Sequence, residues 1–441
     1  MRSYQASPVA QVAGEITVPG DKSISHRSVM LAGLCEGTSR VEGFLPSEDC
    51  LASMQAMRAL GVHIERPAVD VAVVRGVGLH GLRAAGHDLD MGNAGTAMRL
   101  LTGLLAGQRF DSRLVGDASL SRRPMERVAA PLRLMGARLT TTRGTPPVSI
   151  QGVQALHGID YLMPVASAQV KSALLLAGLF ADSPTRIIEP AVSRDHSERM
   201  LEAMGVSLRR EALQVELQPP ARLHARDLKV PGDFSSAAFF IVAGLIGAGP
   251  TGLLIRNVGI NPTRTGLLDI LRRMGARIEV LSGRQAGAEA VADLHVQRSE
   301  LSGVQVPPEL VPLAIDEFPA LFIAAACARG ETQVSGAEEL RVKESDRIAV
   351  MSEGLRSLGV PHEVQPDGMR IEGRPEGPVF AGGMIDSHGD HRIAMAFAVA
   401  SLRASAPLHI RDVANVATSF PGFADLGRRV GLALEDGGSG T

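Results

Sequence analysis

VPGDKSISHRSVMLAGL, residues 18–34, returns as VPGDFSSAAFFIVAGL at residues 230–245. Each copy reads as a strand end, a Pro-Gly turn, an Asp/Ser-capped start and an apolar helix. Repeated in that context, the stretch divides the chain into two halves built alike. A finer repeat runs through both halves. MRALGVHI, LRLMGARL, LEAMGVSL, LRRMGARI, LRSLGVPH and GRRVGLAL place glycines at 61, 136, 205, 275, 359 and 431, roughly 70–85 residues apart. Each is a helix stopped by a glycine able to take the left-handed conformation, followed by β structure. The pattern predicts an α/β fold of six units, three between the Pro-Gly turns and three after the second, with the first strand joining the C-terminal half. Crossings are expected near Gly20 and Gly232, giving one domain over residues 21–232 and another over 1–20 and 233–441.

Composition narrows the function classes. A chain of 441 residues is too long for one ordinary core. Aromatic residues make up 3% with no Trp, which argues against stacking platforms for single-stranded nucleic acid. A formal charge of −2 argues against a broad phosphate-backbone footprint. Cys35, Cys50 and Cys327 form no CxxC pair and point to a reducing compartment. MRSYQASPVAQ at the start has no apolar signal segment, so a cytoplasmic protein is expected. Residues 234–255 carry no charge and are long enough to span a bilayer. Their Ser235, Ser236, Gly244, Gly247, Gly249, Pro250 and Gly252 instead read as a capped helix, a turn and a strand.

The polar motifs share one placement, the start of an apolar helix. DKSISHR precedes VMLAGL, GNAGT precedes AMRLLTGLLAG, SAQVKS precedes ALLLAGLF, IDEF precedes PALFIAAACA, KESDR precedes IAVMSEGL and SHGDHR precedes IAMAFAVA. Helix starts carry unsatisfied N–H groups and partial positive charge, so they bind anions. Capping alone accounts for Ser23, Ser167 and Asp316. It does not account for cations there, which a helix N-terminus disfavours unless an anion joins them. Three such groups stand out: Lys22 with Arg27; Arg122-Arg123-Pro124; and Lys343 with Arg347, at i and i+4, together with Arg392. Of 45 cationic residues only Lys22, Lys171, Lys229 and Lys343 are lysines, a weak pointer to positions needing a compact ammonium. Asp316, read as lying where a strand meets a helix, and Glu344 are the acid–base candidates. Glu317 and Asp346 read as solvent-facing or structural ion pairs, although spacing barely separates Asp316 from Glu317.

Nucleotide and metal signatures fail on inspection. GVGLHG at residues 76–81 matches GxGxxG, but no sustained helix follows it. PGDKS lacks the Walker spacing. His388, Asp390 and His391 lack a further ligand, and Arg392 beside them would repel a cation. No metal and no cofactor are expected.

Together GNAGTAMR, GDASLSRRPM, SAQVKSALLLAGL, SRDHSERML, DEFPAL, RVKESDRI and GDHRIAM, between VPGDKSISHR and ATSFPGF, resemble the 5-enolpyruvylshikimate-3-phosphate synthases, a family of enolpyruvyl transferases. The resemblance spans nearly the whole chain. It implies two similar domains, each of three βαβαββ units in the inside-out α/β barrel arrangement, with the active site in the interdomain cleft. The implied reaction transfers the enolpyruvyl group of phosphoenolpyruvate to the 5-hydroxyl of shikimate 3-phosphate by addition and elimination, releasing phosphate. Shikimate 3-phosphate would be held by Lys22, Ser23, Arg27, Ser167, Ala168, Gln169, Arg194, Asp316 and Lys343. Phosphoenolpyruvate would be held by Lys22, Gly95, Arg123, Gln169, Arg347 and Arg392. Asp316 would take the 5-hydroxyl proton, Glu344 would protonate the methylene carbon, and Lys22 would serve both proton transfer and charge stabilisation. A monomer that closes on its substrates and is a target of glyphosate is also implied.

Two positions depart from the family pattern. Thr418 stands where many relatives have Lys, and Leu100 follows Arg99 where many glyphosate-sensitive relatives have Pro. Gly95 is retained, so glyphosate is expected to fit beside it. The rival within the fold, a UDP-N-acetylglucosamine enolpyruvyl transferase, uses a loop Cys that has no counterpart here. A non-catalytic anion-sensing scaffold would leave Asp316 and Glu344 beside the cations unexplained.

Overall fold

A computed structural model describes residues 2–153 and 155–437. The chain divides into two compact units. One, here the N-terminal unit, is Gly20–Val230 with Ala286–Glu289; the other, the C-terminal unit, is Met1–Pro19, Pro231–Gln285 and Ala290–Thr441. Each has its own hydrophobic core. The strands Ser3–Ser7 and Val12–Thr17 lie in sheets of the C-terminal unit, the first between Leu408–Arg411 and Ala433–Gly437, the second beside Ala248–Gly259.

Among the described residues there are six sheets, all open and none closed into a barrel. One order recurs in them. In the sheet Leu89–Asp90, Ser112–Val115, Thr145–Gln151, Arg138–Thr142, the first pair is parallel and the next two antiparallel. The sheet Asp160–Leu162, Thr185–Ile188, Gln214–Leu217, Leu208–Glu211 has the same order, and so does the one built on Cys35–Glu42. The sheet of Gly330–Val334, Gly368–Gly373 and His362–Gln365 has three strands, and two isolated parallel bridges, Ser302 to Arg329 and Gln305 to Gln333, occupy the fourth place. The six repeat glycines follow their helices with φ between 77° and 102°, a region closed to most side chains. That shared stop turns each helix back into an antiparallel strand.

The motif-bearing helices are buried almost throughout, except Arg347–Ser357, which keeps an exposed face. Phe234–Gly247 is buried along its whole length and runs directly into the strand Ala248–Gly259, without the separate turn expected there. The register shifts between Ala248 and Leu253, so Gly249 and Pro250 are absorbed as an irregularity in that strand. Asp21 and Asp233 cap the two duplicated helices, accepting from the amides of Ile24 and Ser235 at 2.8 Å. Ser23 is therefore the second residue of its helix and not its cap. In the N-terminal unit the helices Gly95–Ala106 and Ala168–Gly178 touch backbone to backbone: a Cβ on Gly103 would lie 2.1 Å from the Ala173 carbonyl oxygen. Only glycine permits that approach, and it sets the register of the residues that begin both helices. GVGLHG covers the end of the strand Val71–Val77 and a turn closed by the Gly81 amide on the Gly78 carbonyl.

The core also holds a titratable group. His26 is fully buried, with Nδ1 2.7 Å from Ser53 Oγ. Burial pushes its pKa down to about 3, Lys22 and Arg27 push the same way, and Asp21 opposes them. An unfolded histidine titrates near 6.5. Between those values the unfolded chain holds a proton that the folded chain lacks, so stability is complete above pH 6.5 and falls as the pH is lowered toward 3. Between pH 7 and pH 4.5 this one group is expected to remove about 2–3 kcal/mol. Thermal melts of His26→Gln at the two pH values should show a shallower pH dependence than the parent; an equal dependence would refute the assignment.

Candidate active site

In the N-terminal unit the helix Lys22–Leu34 presents Lys22 at its first turn, with Nζ 3.1 Å from Asp49. One turn on, Arg27 is buried at 3% exposure. Its guanidinium donates to Ser197 Oγ and Ser172 Oγ at 2.7 Å and to the Ser23 carbonyl at 2.9 Å. None of these partners is charged. Burial lowers its pKa to about 10; Glu198 and Asp21 act against that, and Arg194 adds to it. A buried cation held by neutral acceptors and sensing a second cation is arranged for an anion.

A second group surrounds Gly95. No side chain caps the helix Gly95–Ala106, which leaves its leading end for a ligand. Arg123 is buried and donates from Nη2 to Asn93, while Arg122 beside it is exposed. Arg99 donates to Gln169 Oε1 at 2.6 Å, and Gln169 Nε2 donates to Thr96 Oγ1 at 2.8 Å. The close helix pair at Gly103 thus holds Gln169 beside the Gly95 turn. Ser167 caps its own helix, accepting from the Val170 amide, and Ala168 follows as the first helical residue. A Cβ on Gly95 would lie 2.9 Å from Arg123 Nη1. Gly95→Ala must therefore push that guanidinium tip aside. An anion seated on this helix start is expected to bind several-fold more weakly in Gly95→Ala, and an unchanged affinity for such an anion by titration calorimetry would refute a site at Gly95.

The C-terminal unit holds a denser cluster. Around the Asp316 carboxylate lie Arg347 Nη1 at 3.4 Å, Lys343 Nζ at 3.7 Å and Arg392 Nη2 at 3.8 Å. Arg392 Nη1 also donates to the Asp316 carbonyl at 2.9 Å. Arg347 is 1% exposed and meets Glu344 at 2.6 Å and Asp390 at 2.8 Å as well. Burial lowers the pKa of Arg347, but Asp390, Glu344 and Asp316 together raise it well beyond the ordinary range. Its positive charge is secure. Asp390 caps the helix His391–Ala400 through the Arg392 amide at 2.9 Å and accepts from Ser345 at 3.0 Å.

Three local readings from the sequence are corrected here. Asp316 follows a short helix, Val311–Ala314, and not a strand, because Pro312 at its first turn favours helix initiation. Asp316 is also no cap: Glu317 is the residue before the helix Phe318–Ala326, without a side-chain capping bond. Lys343 and Arg347 share no helical face, since Glu338–Val342 forms a 3₁₀ turn and the next helix starts at Arg347. Both reach Asp316 because the chain folds back between those elements. Glu317 itself is 1% exposed, accepts from Ser235 Oγ and lies 3.6 Å from Arg264. It is a structural ion pair, so burial separates the two acids that spacing could not. Asp346 caps the helix Arg347–Ser357 and pairs with Arg341. His388 lies 3.3 Å from Glu353, and no metal-holding group of three His, Cys, Asp or Glu occurs among the described residues.

Lys22, Ser23 and Arg27 thus gather at one helix start, Gly95, Arg123, Ser167, Ala168 and Gln169 around the starts of a helix pair, and Asp316, Lys343, Glu344, Arg347 and Arg392 in the C-terminal unit. Arg194 enters through its electrostatic effect on Arg27. Residues that orient them emerge only now. Asp49, Ser172 and Ser197 hold Lys22 and Arg27 from remote parts of the chain. Asn93, Arg99 and Asp390 lie inside quoted motifs, where their neighbours drew the reading instead. Thr418 is buried and donates back to the Asn415 carbonyl at 2.7 Å, so position 418 supplies no charge.

Known proteins match this chain in sequence and in fold. The sequence model of the family described as EPSP synthase (3-phosphoshikimate 1-carboxyvinyltransferase) matches residues 6–426. A 3-phosphoshikimate 1-carboxyvinyltransferase of Methylococcus capsulatus is 58% identical over 433 residues, covering 98% of each chain. That of Alkalilimnicola ehrlichii is 57% identical, covering 98% of this chain and 97% of its own. The EPSP synthase structure from Acinetobacter baumannii superposes with a TM-score of 0.89 at 52% identity, covering 99% of this chain and 100% of that one. The enolpyruvyl transferase NikO from Streptomyces tendae shares the fold, with a TM-score of 0.78 at 18% identity over 99% of both chains.

Proposed function

The chain belongs to the EPSP synthase family and moves the enolpyruvyl group of phosphoenolpyruvate onto the 5-hydroxyl of shikimate 3-phosphate, in the shikimate pathway to aromatic amino acids; from that premise we propose how its residues divide the work. Shikimate 3-phosphate is held by Lys22, Ser23, Arg27, Ser167, Ala168, Gln169 and Arg194, with Asp316 and Lys343 completing the set. Phosphoenolpyruvate is held by Lys22, Gly95, Arg123, Gln169, Arg347 and Arg392. The observation that carries this division is the Asp316 carboxylate ringed by Lys343, Arg347 and Arg392, a proton acceptor set among anion-binding cations.

Addition places a proton on C3 of phosphoenolpyruvate while the 5-oxygen bonds to C2 and gives up its own proton. Elimination then removes a C3 proton and breaks the bond from C2 to the phosphate oxygen. Asp316 accepts the hydroxyl proton. Before substrate binds, the three cations surround its carboxylate; anionic substrate groups engage those cations and leave a carboxylate oxygen to the 5-hydroxyl. Glu344, partly exposed and 2.6 Å from Arg347 before substrate binds, is the donor to C3 once solvent has supplied its proton and phosphoenolpyruvate has engaged Arg347. Lys22 is suited to both proton transfer and charge stabilisation, since an ammonium can give up a proton at accessible pH and a guanidinium cannot. The charge at each reacting oxygen is met by fixed side-chain donors, which is the usual origin of large rate gains in transfers of this kind.

Three buried free cysteines support a cytoplasmic enzyme, and we place it there as a monomer. No described helix is long and apolar enough to cross a membrane. The deciding assay is phosphate release from phosphoenolpyruvate. It should occur with shikimate 3-phosphate and not with UDP-N-acetylglucosamine; release with the nucleotide sugar would move the chain to its rival, and release with neither would favour a non-catalytic scaffold. In the same assay glyphosate should compete with phosphoenolpyruvate beside Gly95.

A further inference from the structure

Two of the four lysines, Lys22 and Lys343, belong to the site just described, and Lys171 has no part in it. Lys171 is buried, with its side chain 3% exposed, in the helix Ala168–Gly178. Its ammonium lies 2.7 Å from Glu189, 2.7 Å from Glu198 and 3.4 Å from the Ser193 carbonyl. Those contacts use all three of its N–H donors. Burial alone would lower its pKa, but Glu198 and Glu189 outweigh that and raise it. The ammonium therefore stays charged. Ser193 also donates to Glu189, closing a ring of Lys171, Glu189 and Ser193.

The three partners lie in one segment, residues 189–198, which joins the strand Thr185–Ile188 to the helix His196–Ala203. The segment carries Arg194 and Ser197. Ser197 Oγ accepts from Arg27 Nε and donates to Ser172 Oγ at 2.7 Å, and Ser172 stands next to Lys171 in sequence. Gln169 lies two residues before Lys171. One ammonium thus ties the segment bearing Arg194 and Ser197 to the helix bearing Gln169 and Ser172. Its charge also faces Glu198, whose carboxylate is the largest opposing influence on the buried Arg27.

We propose that Lys171 is a positioning residue for the shikimate 3-phosphate site, its ammonium fixing Arg27 and Arg194 in one arrangement without touching the substrate, while Gln169 keeps its own partners, Arg99 and Thr96. A planar guanidinium cannot direct three donors tetrahedrally onto two carboxylates and a carbonyl. That explains a lysine at this point in a chain that otherwise uses arginine almost throughout. The inference rests on the assignment of Arg27 and Arg194 to shikimate 3-phosphate, so the experiment tests the two separately.

Binding of shikimate 3-phosphate alone is measured by calorimetry, and kcat and both KM values by phosphate release, for the full-length parent, Arg194→Ala, Lys171→Met, Lys171→Arg and Glu198→Gln. Arg194→Ala tests the site: unchanged affinity would overturn the assignment itself. With that control weakened, Lys171→Met is expected to bind shikimate 3-phosphate about tenfold or more weakly, with kcat within about threefold and the KM for phosphoenolpyruvate within about twofold of the parent. Lys171→Arg should fail to restore affinity. Should Lys171→Met not fold, Glu198→Gln keeps the ammonium and a neutral acceptor, and is expected to lose about threefold in the same parameter alone. Parental affinity in whichever of these two variants folds, rescue by Lys171→Arg, or an equal loss for both substrates would overturn the positioning role.

Discussion

Asp316→Ala is expected to fold, to bind shikimate 3-phosphate and to turn over about 10²–10⁴ times more slowly than the parent. The size follows from the loss of a positioned proton acceptor in the step that joins the 5-oxygen to C2. Folding should survive because the carboxylate is partly exposed and its three cations keep other partners: Lys343 retains Glu339 at 2.9 Å, Arg347 retains Asp390 and Glu344, and Arg392 retains the carbonyl of residue 316 at 2.9 Å. Asp316→Asn separates the proton from the shape, since an amide fills the same space and accepts no proton at neutral pH. It should be as slow as Asp316→Ala. Single-turnover phosphate release at saturating substrates provides the measurement, and near-native turnover in either variant would remove Asp316 from the base role.

Arg347→Met should affect stability and binding together. Arg347 is buried between Asp390, itself wholly buried, and the carboxylates of Glu344 and Asp316. Removing the guanidinium leaves those acids without their shared counter-charge, and breaking a buried pair in this way costs about 3–5 kcal/mol. A drop in melting temperature on the order of 10 °C should follow. On the proposed division of the site, phosphoenolpyruvate binding should be lost with it, while shikimate 3-phosphate should still bind. Arg347→Lys keeps a charge but cannot address three carboxylates with a fork, so it should recover part of the stability and little of the KM. An unchanged melting temperature in Arg347→Met would show that the three acids are compensated from elsewhere.

Much of the fold was open to reading because its signals are local. A left-handed glycine after an amphipathic helix is a property of a few residues, and all six repeat glycines take positive φ. The aspartates of the two Pro-Gly turns cap the helices that follow them, again within a few residues. The helix-start motifs were legible for the same reason, since a polar group before an apolar run is visible without partners. The errors were also local in kind. Whether Asp316 follows a strand or a short helix, or whether Ser23 or Asp21 caps, turns on one or two residues of backbone geometry that spacing does not determine.

The partners of the site residues are a different matter. Lys22 finds Asp49 and Arg27 finds Ser197 across 27 and 170 residues of chain, and no periodicity connects such positions. Asp316 and Glu317 are neighbours of the same charge type. Only packing turns one toward Lys343, Arg347 and Arg392 and buries the other against Ser235 and Arg264.

Sequence alone therefore determined the six-unit α/β organisation, the duplicated halves and the helix starts at which anions could be held, because caps, glycine stops and apolar periodicity act over one or two turns. Tertiary structure alone decided which acid meets the cations, which neutral groups hold Arg27 and what Lys171 ties together. Those outcomes depend on desolvation and on contacts between remote segments, and neither exists until the chain has packed.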